Sequence, residues 1–203
     1  MIIAIEGIDG AGKNTLVTAI RERLESDVLA FPRYDTSAPA QLVQEALHGR
    51  MGDLTDSAYA MATLFALDRH GAREQLEPYI DSEHVILLDR YVASNAAYSA
   101  ARLQDDAVAD WVYDLEFGRL GLPLPDLQVL LATEPDTASQ RAASREKLDA
   151  SRERDRYERD AHLQQRTYDA YLRLAEQGWA GRWLVTTDPD VLLQEISHKL
   201  QGL

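Results

Sequence analysis

A glycine-rich loop follows a short apolar run near the start of the chain, and it constrains the fold more than any other feature. The apolar run is Ile2 to Ile5, and the loop, Gly7 to Thr15, reads Gly-Ile-Asp-Gly-Ala-Gly-Lys-Asn-Thr. Its glycines allow the backbone to curl so that N–H groups point at a polyphosphate, and Lys13 supplies a positive charge. A helix that begins near Lys13 would direct its positive dipole end at the same anion. This succession of strand, loop, lysine and helix predicts a phosphate-binding loop rather than a chance glycine turn.

The composition fits a single soluble domain. The chain has 203 residues, of which 45% are hydrophobic, and this is enough for one substantial core. A net charge of −13 would repel nucleic acids and anionic membranes, so neither is expected as a partner. The absence of cysteine excludes disulfides, thiolate zinc sites and a cysteine nucleophile. Glu6 interrupts the first apolar run too early for a signal peptide or a membrane span, so we expect a cytoplasmic protein with one domain over residues 1–203.

Short apolar segments alternate with segments of helical character along the chain. Runs such as Val85 to Leu88 are apolar without alternation, which is typical of strands covered on both faces in a parallel sheet. Ligands bind at the carboxyl ends of such strands, where the glycine-rich loop would lie. Strands are predicted at residues 2–6, 28–31, 84–89, 127–132 and 183–186. Helices are predicted at residues 54–79, 92–104 and 105–119.

Two charged residues stand at the end of the third predicted strand. A carboxylate at the position of Asp89 commonly holds Mg²⁺ or its water beside the loop of the first strand. The guanidinium of Arg90 suits phosphate because it can bind two oxygens at once. The loop itself departs from the usual pattern, since Asn14 stands where Ser or Thr normally contacts Mg²⁺, and Thr15 follows. A simple surface ion pair is the alternative for Asp89 and Arg90, and metal binding by the loop stays open.

A segment rich in arginine, residues 140–160, follows the fourth predicted strand. If it is one continuous helix, its arginines share a narrow arc, and neighbours on that arc repel one another by about a few tenths of a kcal/mol. A solvated face screened by the acidic residues between them is the alternative. We favour a mobile lid at about residues 142–156 that brings cations to a migrating phosphoryl group and excludes water. The arginines of this arc are Arg141, Arg145, Arg152, Arg156 and Arg159.

Aromatic and hydrogen-bonding residues on several predicted helices could together read a flat base. Phe65 offers an aromatic face, although a residue of this type is more often part of a core. Arg69 and Asn95 offer guanidinium and amide groups, and Tyr98 offers a hydroxyl. A further aromatic segment, Phe31 to Tyr34, follows the second predicted strand. The five histidines show no metal-type spacing and receive no role.

The chain resembles bacterial thymidylate kinases in an ordered set of motifs that covers nearly its whole length. The resemblance implies an α/β P-loop nucleoside monophosphate kinase fold, with a five-stranded parallel sheet in the order 2-3-1-4-5, and usually a homodimer. It implies transfer of the γ-phosphoryl group of ATP to dTMP with Mg²⁺, giving ADP and dTDP. The matching motifs are Glu6 to Lys13, Phe31 to Tyr34, Asp89 to Tyr91, Pro125-Asp126, Arg141, Arg145 and Tyr157-Glu158.

The resemblance implies an ATP site around the loop. The loop backbone and Lys13 would hold the phosphates. In family members whose loop has a glycine rather than an arginine after the aspartate, as Gly10 follows Asp9 here, the arginines of the lid supply the catalytic positive charge. The implied ATP-binding residues are Gly7, Ile8, Asp9, Gly10, Ala11, Gly12, Lys13, Asn14, Thr15, Arg141, Arg145 and Arg152. The implied catalytic residues are Lys13, Asp9, Arg90, Arg145 and Glu158, and the implied metal ligands are Asp9, Asp89 and Glu158.

The resemblance also implies a site for dTMP. Phe65 would stack on thymine, while Arg69 would reach its O4 and Asn95 would bond its N3 edge. Tyr98 would crowd the ribose 2′ position and so select deoxyribose. The implied dTMP-binding residues are Asp9, Tyr34, Phe65, Arg69, Arg90, Asn95, Tyr98 and Tyr157.

Other functions are compatible with a phosphate-binding loop. Within enzymes, the alternative is a deoxynucleoside kinase or another nucleoside monophosphate kinase, but Arg90 would lack an anion if the acceptor were not phosphorylated. A different class is a P-loop ATPase that acts as a switch. Such a protein would hydrolyse ATP without a nucleotide acceptor and would have no use for Phe65 together with Asn95.

Overall fold

The computed structural model describes residues 1–148 and 155–201, including their side chains except those of residues 145–148. Within this part of the chain, the strands form one five-stranded parallel sheet. The strands are β1 (Ile2–Glu6), β2 (Asp27–Ala30), β3 (Ile86–Asp89), β4 (Leu127–Leu130) and β5 (Trp183–Val185). Their order in the sheet is β2-β3-β1-β4-β5, which confirms the predicted sheet.

The central position of β1 explains its composition and places the loop. All five residues of β1 are buried, because neighbouring strands flank it and helices cover both faces of the sheet. In the pairing of β1 with β3, Ile5 lies opposite Asp89. The two strands therefore end side by side, and the loop after Glu6 lies next to the residues that follow Asp89.

The helices pack on the two faces of the sheet and on one another. α5 packs against α3, α6 and α9, and its buried alanines Ala93, Ala96 and Ala97 allow the close approach. None of the helices in the described part of the chain combines the length and the apolar character that a membrane span requires. The helices are α1 (Lys13–Arg21), α2 (Ala38–Leu47), α3 (Ala58–His70), α4 (Arg73–Leu76), α5 (Val92–Leu103), α6 (Val108–Tyr113), α7 (Pro135–Leu148), α8 (Arg156–Arg159), α9 (Ala161–Glu176) and α10 (Pro189–Gln201).

The helix predicted over residues 54–79 is not continuous in the structure. A 3₁₀ turn at Leu54–Asp56 precedes α3, and a second one at Glu77–Tyr79 follows α4. Ser57 begins α3 because its side-chain oxygen accepts a hydrogen bond from the backbone N–H of Ala60 at 3.1 Å. Gly71 ends α3, and Pro78 lies in the second 3₁₀ turn. Capping and breaking residues therefore override the apolar pattern that suggested one long helix.

The helix predicted over residues 105–119 changes its winding part-way. α6 ends at Tyr113, and the backbone continues as a π-helix over Asp114–Arg119. This wider turn places Glu116 in the interior, where its side chain is fully buried. Wider turns of this kind often occur beside functional sites.

Candidate active site

The glycine-rich loop connects β1 to α1 and surrounds a lysine side chain. Gly7, Gly10 and Gly12 have positive φ angles of 144°, 83° and 106°, which residues with a Cβ atom rarely adopt. Lys13 begins α1, and its Nζ donates hydrogen bonds to the carbonyl oxygens of Gly7 and Ile8, each at 3.2 Å. The lysine charge and the positive end of α1 therefore lie together at the carboxyl edge of the sheet.

Arg90 lies directly after β3 and connects the loop to α5. Its Nη2 donates a hydrogen bond to Oδ1 of Asp9 at 2.5 Å, and its Nη1 donates to the carbonyl oxygen of Gly7 at 3.0 Å. Nη1 also donates to Oγ of Ser94 at 3.2 Å. The hydroxyl of Tyr98 donates to the second carboxylate oxygen of Asp9 at 2.8 Å. A guanidinium and a carboxylate are therefore held side by side at the start of the loop.

Neighbouring charges determine the ionisation of this group. Burial would raise the pKa of Asp9, but the charges of Arg90 and Lys13 outweigh it and hold that pKa below its ordinary value. Burial lowers the pKa of Lys13 to about 8, and the nearby charge of Arg90 acts in the same direction. The site therefore combines a carboxylate that stays ionised with a lysine whose positive charge would be stabilised by an added anion.

Two cavities open at this edge of the sheet. The larger, of about 880 Å³, lies between the loop and α7. The smaller, of about 210 Å³, extends toward α3 and α5. Groups that occupied the two cavities would meet beside a carboxylate and an arginine. The residues that line both cavities are Asp9, Phe31, Arg90 and Glu158.

The smaller cavity collects every residue that was predicted to bind the acceptor nucleotide. They come from the loop, the segments after β2 and β3, and helices α3, α5 and α8, so the tertiary structure brings together side chains far apart in sequence. The residues are Asp9, Tyr34, Phe65, Arg69, Arg90, Asn95, Tyr98 and Tyr157.

The larger cavity contains much of the predicted ATP site. Asn14 and Thr15 line it with the loop, and Nη1 of Arg141 donates a hydrogen bond to the carbonyl oxygen of Ala11 at 3.5 Å. The side chains of Ile8 and Ala11 are buried in the core, so these residues can offer only backbone groups. Two predicted lid cations cannot be placed, because the side chain of Arg145 and all of Arg152 lie outside the described residues.

The three predicted metal ligands line the larger cavity together. Asp9, Asp89 and Glu158 supply carboxylates from the loop, β3 and α8. Oδ1 of Asp89 is buried and has no hydrogen-bond partner in the described part of the chain. Among the side chains that the structure describes, no group of three or more His, Asp or Glu is arranged to hold a metal ion.

Comparisons with known proteins agree with this geometry. The family model for thymidylate kinase matches residues 5–196. The chain belongs to the thymidylate kinase family. The thymidylate kinase of Mycobacterium tuberculosis (strain H37Rv) is 55% identical over 193 residues, which cover 91% of this chain and 90% of that protein. The thymidylate kinase of Paraburkholderia xenovorans is 33% identical over 189 residues, covering 86% of this chain and 84% of that protein.

A solved structure supports the fold assignment. The thymidylate kinase of Candida albicans superposes on this chain with a TM-score of 0.74 at 23% sequence identity, covering 99% of this chain and 91% of that one. The predicted P-loop nucleoside monophosphate kinase fold is therefore confirmed.

In this member of the thymidylate kinase family, sequence reasoning missed the acidic partners behind the smaller cavity. Glu116 accepts hydrogen bonds from Arg69 and Asn95, and Asp68 accepts one from Nε of Arg33 at 3.0 Å. Both acidic side chains are fully buried. A weak signal was present, since Glu116 stands between the apolar residues Leu115 and Phe117, and a carboxylate buried with them needs partners.

A second missed residue supports Arg90 from behind. Glu6 is fully buried at the end of β1 and accepts hydrogen bonds from Oγ of Ser94 at 2.6 Å and from the hydroxyl of Tyr171 at 3.1 Å. Burial raises the pKa of Glu6, although Ser94 and Arg90 oppose this shift. The hydroxyl oxygens of Ser94 and Tyr171 in turn accept hydrogen bonds from Nη1 of Arg90. Glu6 therefore helps to hold the guanidinium of Arg90 in place through these two hydroxyl groups.

The arginine arc expected in the lid is not reproduced at Arg156. This residue belongs to a separate helix, α8, and its Nη1 donates a hydrogen bond to Oγ1 of Thr55 at 2.7 Å and pairs with Asp56 at 3.1 Å. Arg156 therefore serves to attach α8 to the 3₁₀ turn before α3. The predicted continuous helix is interrupted at Asp155, whose backbone is extended and whose side chain caps the start of α8.

Proposed function

We propose that this member of the thymidylate kinase family transfers the γ-phosphoryl group of ATP to a phosphate oxygen of dTMP where the two cavities meet. The observation that carries the proposal is the shared lining of the cavities by Asp9, Arg90 and Glu158. ATP would occupy the larger cavity beside the phosphate-binding loop, and dTMP would occupy the smaller one. The products would be ADP and dTDP.

The ATP side of the site is a concentration of positive charge in an acidic protein. Lys13, the N-terminal end of α1 and Arg141 face the larger cavity. Arg145 and Arg152 are proposed as further cations on the sequence evidence. Together these groups would neutralise the transferred phosphoryl group, which is the main task of an enzyme that transfers phosphate.

The acceptor side combines an anion-binding group with a surface for a base. We propose that Arg90 and Tyr34 bind the phosphate of dTMP, while Phe65 stacks on thymine. Arg69 and Asn95 would read the O4 and N3 edge of the base. Tyr98, held by its hydrogen bond to Asp9, would crowd the ribose 2′ position.

The catalytic step requires position and charge rather than a base. A phosphate oxygen of dTMP is already largely deprotonated at neutral pH, so no residue needs to remove a proton before it attacks. Arg90, fixed by Asp9 and Ser94, would hold the acceptor phosphate in line with the donor. Lys13 would stabilise the charge that develops on the donor phosphates, and Glu158 would act beside the acceptor.

The residues of the larger cavity fit Mg²⁺ that arrives with ATP. Mg²⁺ prefers oxygen ligands and commonly takes several of them from substrate phosphates and water rather than from an all-protein cage. The unpartnered, buried Oδ1 of Asp89 suits such a role, and Asp9 and Glu158 line the same cavity. When bound, the ion would neutralise charge on the phosphates.

A homodimer and a cytoplasmic location are parts of the same proposal. Tyr59 and Leu67 lie about two turns apart on α3 and are 47% and 40% exposed. The ring of Tyr59 contacts Trp111 of α6 at a centroid distance of 4.8 Å, which extends this apolar surface. Light scattering should give twice the chain mass of 22.8 kDa, whereas a monomeric mass would refute the dimer.

The cytoplasmic location follows from the intracellular nucleotides that the enzyme would use.

An acceptor panel tests the function. ADP release should be fastest with dTMP, and dUMP should be used less well by about 10- to 200-fold, because a pocket gains only about 1 to 3 kcal/mol from one methyl group. Thymidine and a reaction without acceptor should give only background. Faster turnover of thymidine would indicate a nucleoside kinase, and rapid hydrolysis without acceptor would indicate a switch ATPase.

Two arginines of the chain provide a matched comparison for the panel. Arg90 and Arg23 each pair with an aspartate at 2.5 Å, but the pair of Arg23 with Asp190 is exposed and lines neither cavity. Arg90→Met should lower kcat/KM for dTMP by about 10³-fold or more, whereas Arg23→Met should stay within about twofold. Similar activity of the two variants would contradict the assignment of Arg90 to the acceptor phosphate.

A further inference from the structure

A buried carboxylate lies directly behind the two side chains that face the proposed base site. Glu116 accepts hydrogen bonds from Nε and Nη2 of Arg69 at 2.6 and 2.7 Å. Its Oε1 also accepts one from Nδ2 of Asn95 at 2.7 Å. Glu116 is fully buried and does not line the smaller cavity itself, so it can act on a ligand there only through its two partners.

These contacts decide which way the amide of Asn95 is turned. One of its two terminal atoms lies 2.7 Å from Oε1 of Glu116 and 2.9 Å from the carbonyl oxygen of Ala62. A carbonyl oxygen and a carboxylate oxygen both accept hydrogen bonds, so the atom that faces them must be the nitrogen. The amide oxygen is left over. Within the described residues it has no hydrogen-bond partner, and Asn95 lines the smaller cavity.

The same carboxylate fixes the guanidinium of Arg69. Glu116 accepts from Nε and from one N–H of Nη2, which leaves the two N–H groups of Nη1 and the second N–H of Nη2 as the donors available to a ligand in the smaller cavity. Burial would lower the pKa of Arg69, but the charge of Glu116 and its hydrogen bonds raise it above the ordinary value. Arg69 therefore remains a permanent donor beside the acceptor oxygen of Asn95.

We infer that Glu116 is a positioning residue that sets the order of donor and acceptor presented to the base by Arg69 and Asn95. The inference rests on the proposed function, in which the acceptor base occupies the smaller cavity. A donor beside an acceptor complements a base edge with a carbonyl oxygen beside an N–H, as in thymine and uracil. Cytosine presents an amino group beside an unprotonated ring nitrogen, so it would meet a donor with a donor and an acceptor with an acceptor.

Stability alone gives little reason for this arrangement. A buried ion pair is often no more stabilising than apolar residues of the same volume, because both charges must be removed from water. Arg69 and Glu116 have almost no exposed surface, at 2% and 0%. A pair of this kind is better explained by what it does to the groups that reach the cavity.

The test is Glu116→Gln, which keeps the shape of the side chain but places an N–H₂ group where only acceptors now lie. Either Arg69 loses a partner or the amide of Asn95 turns over and presents its nitrogen to the base. We expect kcat/KM for dTMP to fall by at least about tenfold, mainly through KM, while that for dCMP falls less or rises. The ratio of dTMP to dCMP should therefore fall by at least about tenfold.

The ratio of dTMP to dUMP is an internal control, because thymine and uracil present the same edge. It should change by less than about twofold in the variant. Glu195→Gln is the matched control, since Glu195 forms an ion pair with Arg182 at 2.8 Å and neither residue lines either cavity. It should leave all three substrates within about twofold.

Equal losses for dTMP, dUMP and dCMP in Glu116→Gln would mean general damage and would overturn the inference, as would an unchanged ratio of dTMP to dCMP. If Glu116→Gln does not fold, Glu116→Asp carries the same test, because its shorter side chain cannot reach Arg69 and Asn95 together. Its ratio should also fall, and an unchanged ratio again overturns the inference. If the unmodified enzyme does not prefer dTMP and dUMP to dCMP, the proposed base site itself is wrong.

Discussion

Replacement of Gly10 by alanine tests whether the close contact between the glycine-rich loop and α7 is needed for catalysis. A second glycine variant measures the effect of backbone strain alone. A Cβ atom on Gly10 would lie 2.1 Å from the carbonyl oxygen of Ala138 and 2.7 Å from its carbonyl carbon. Both atoms belong to the backbone of α7, so no side-chain rotation relieves the overlap. Since Cβ contacts under 3.0 Å essentially do not occur, the loop and α7 must separate by about 1 Å.

The expected loss has two parts of different origin. Gly10 has a φ of +83°, and an alanine in this region costs about 1 to 2 kcal/mol in stability. The displacement adds a functional loss, because α7 carries Arg141 and a misplacement of about 1 Å in such a site can lower the rate by about 10²-fold. Gly10→Ala should therefore be moderately destabilised and severely impaired with ATP.

Gly49→Ala is the matched control for backbone strain. Gly49 has a similar φ of +75°, but a Cβ atom there would meet nothing within 4 Å. This variant should lose about 1 to 2 kcal/mol of stability and keep its kcat/KM for ATP within about threefold. Urea unfolding gives the first quantity and ADP release gives the second. If Gly10→Ala is as active as Gly49→Ala, the close approach of α7 to the loop does not matter for catalysis.

Two further predictions concern charge. Burial lowers the pKa of Lys13 to about 8, so KM for ATP should rise above pH 8 by up to about tenfold per pH unit. The variant Lys13→Arg stays charged and should show no such rise. A KM that does not change with pH in the unmodified enzyme would contradict the lowered pKa. Because the pKa in the folded state lies below the ordinary lysine value of 10.5, the same deprotonation should increase the free energy of unfolding between about pH 8 and 10.5. Asp89→Asn removes the charge of a half-buried side chain whose buried Oδ1 has no partner among the described residues, so thermal stability should hold or rise while the Mg²⁺ concentration for half-maximal turnover increases by at least about tenfold. An unchanged Mg²⁺ dependence would exclude Asp89 as a ligand.

Features that depend on a few adjacent residues could be predicted from the sequence. The glycines before Lys13 define a loop because the backbone conformation of each is a local property. The unbroken apolar run before Asp89 predicts a buried parallel strand for a similar reason. The break of the long helix at Ser57 was also local, but its capping signal was outweighed by the apolar pattern around it.

Features that depend on packing between distant segments could not be predicted in the same way. Glu116 reaches Arg69 and Asn95 only because the π-helix after α6 packs beside α3 and α5. Glu6 reaches Ser94 only because β1 lies beside β3 in the sheet, in the register that aligns Ile5 with Asp89. The separation of these residues along the sequence does not show that they are neighbours in space.

The sequence by itself determined the phosphate-binding loop, the alternation of strands and helices, and the residue types available to a nucleotide. The tertiary structure alone decided which atoms of those residues are free to meet it. The amide of Asn95 could be turned either way as an isolated side chain, and the guanidinium of Arg69 offers several equivalent donors. Buried acceptors remove that freedom, because an unpaired polar atom in the interior costs about 1 to 3 kcal/mol and each group settles in the orientation that avoids it.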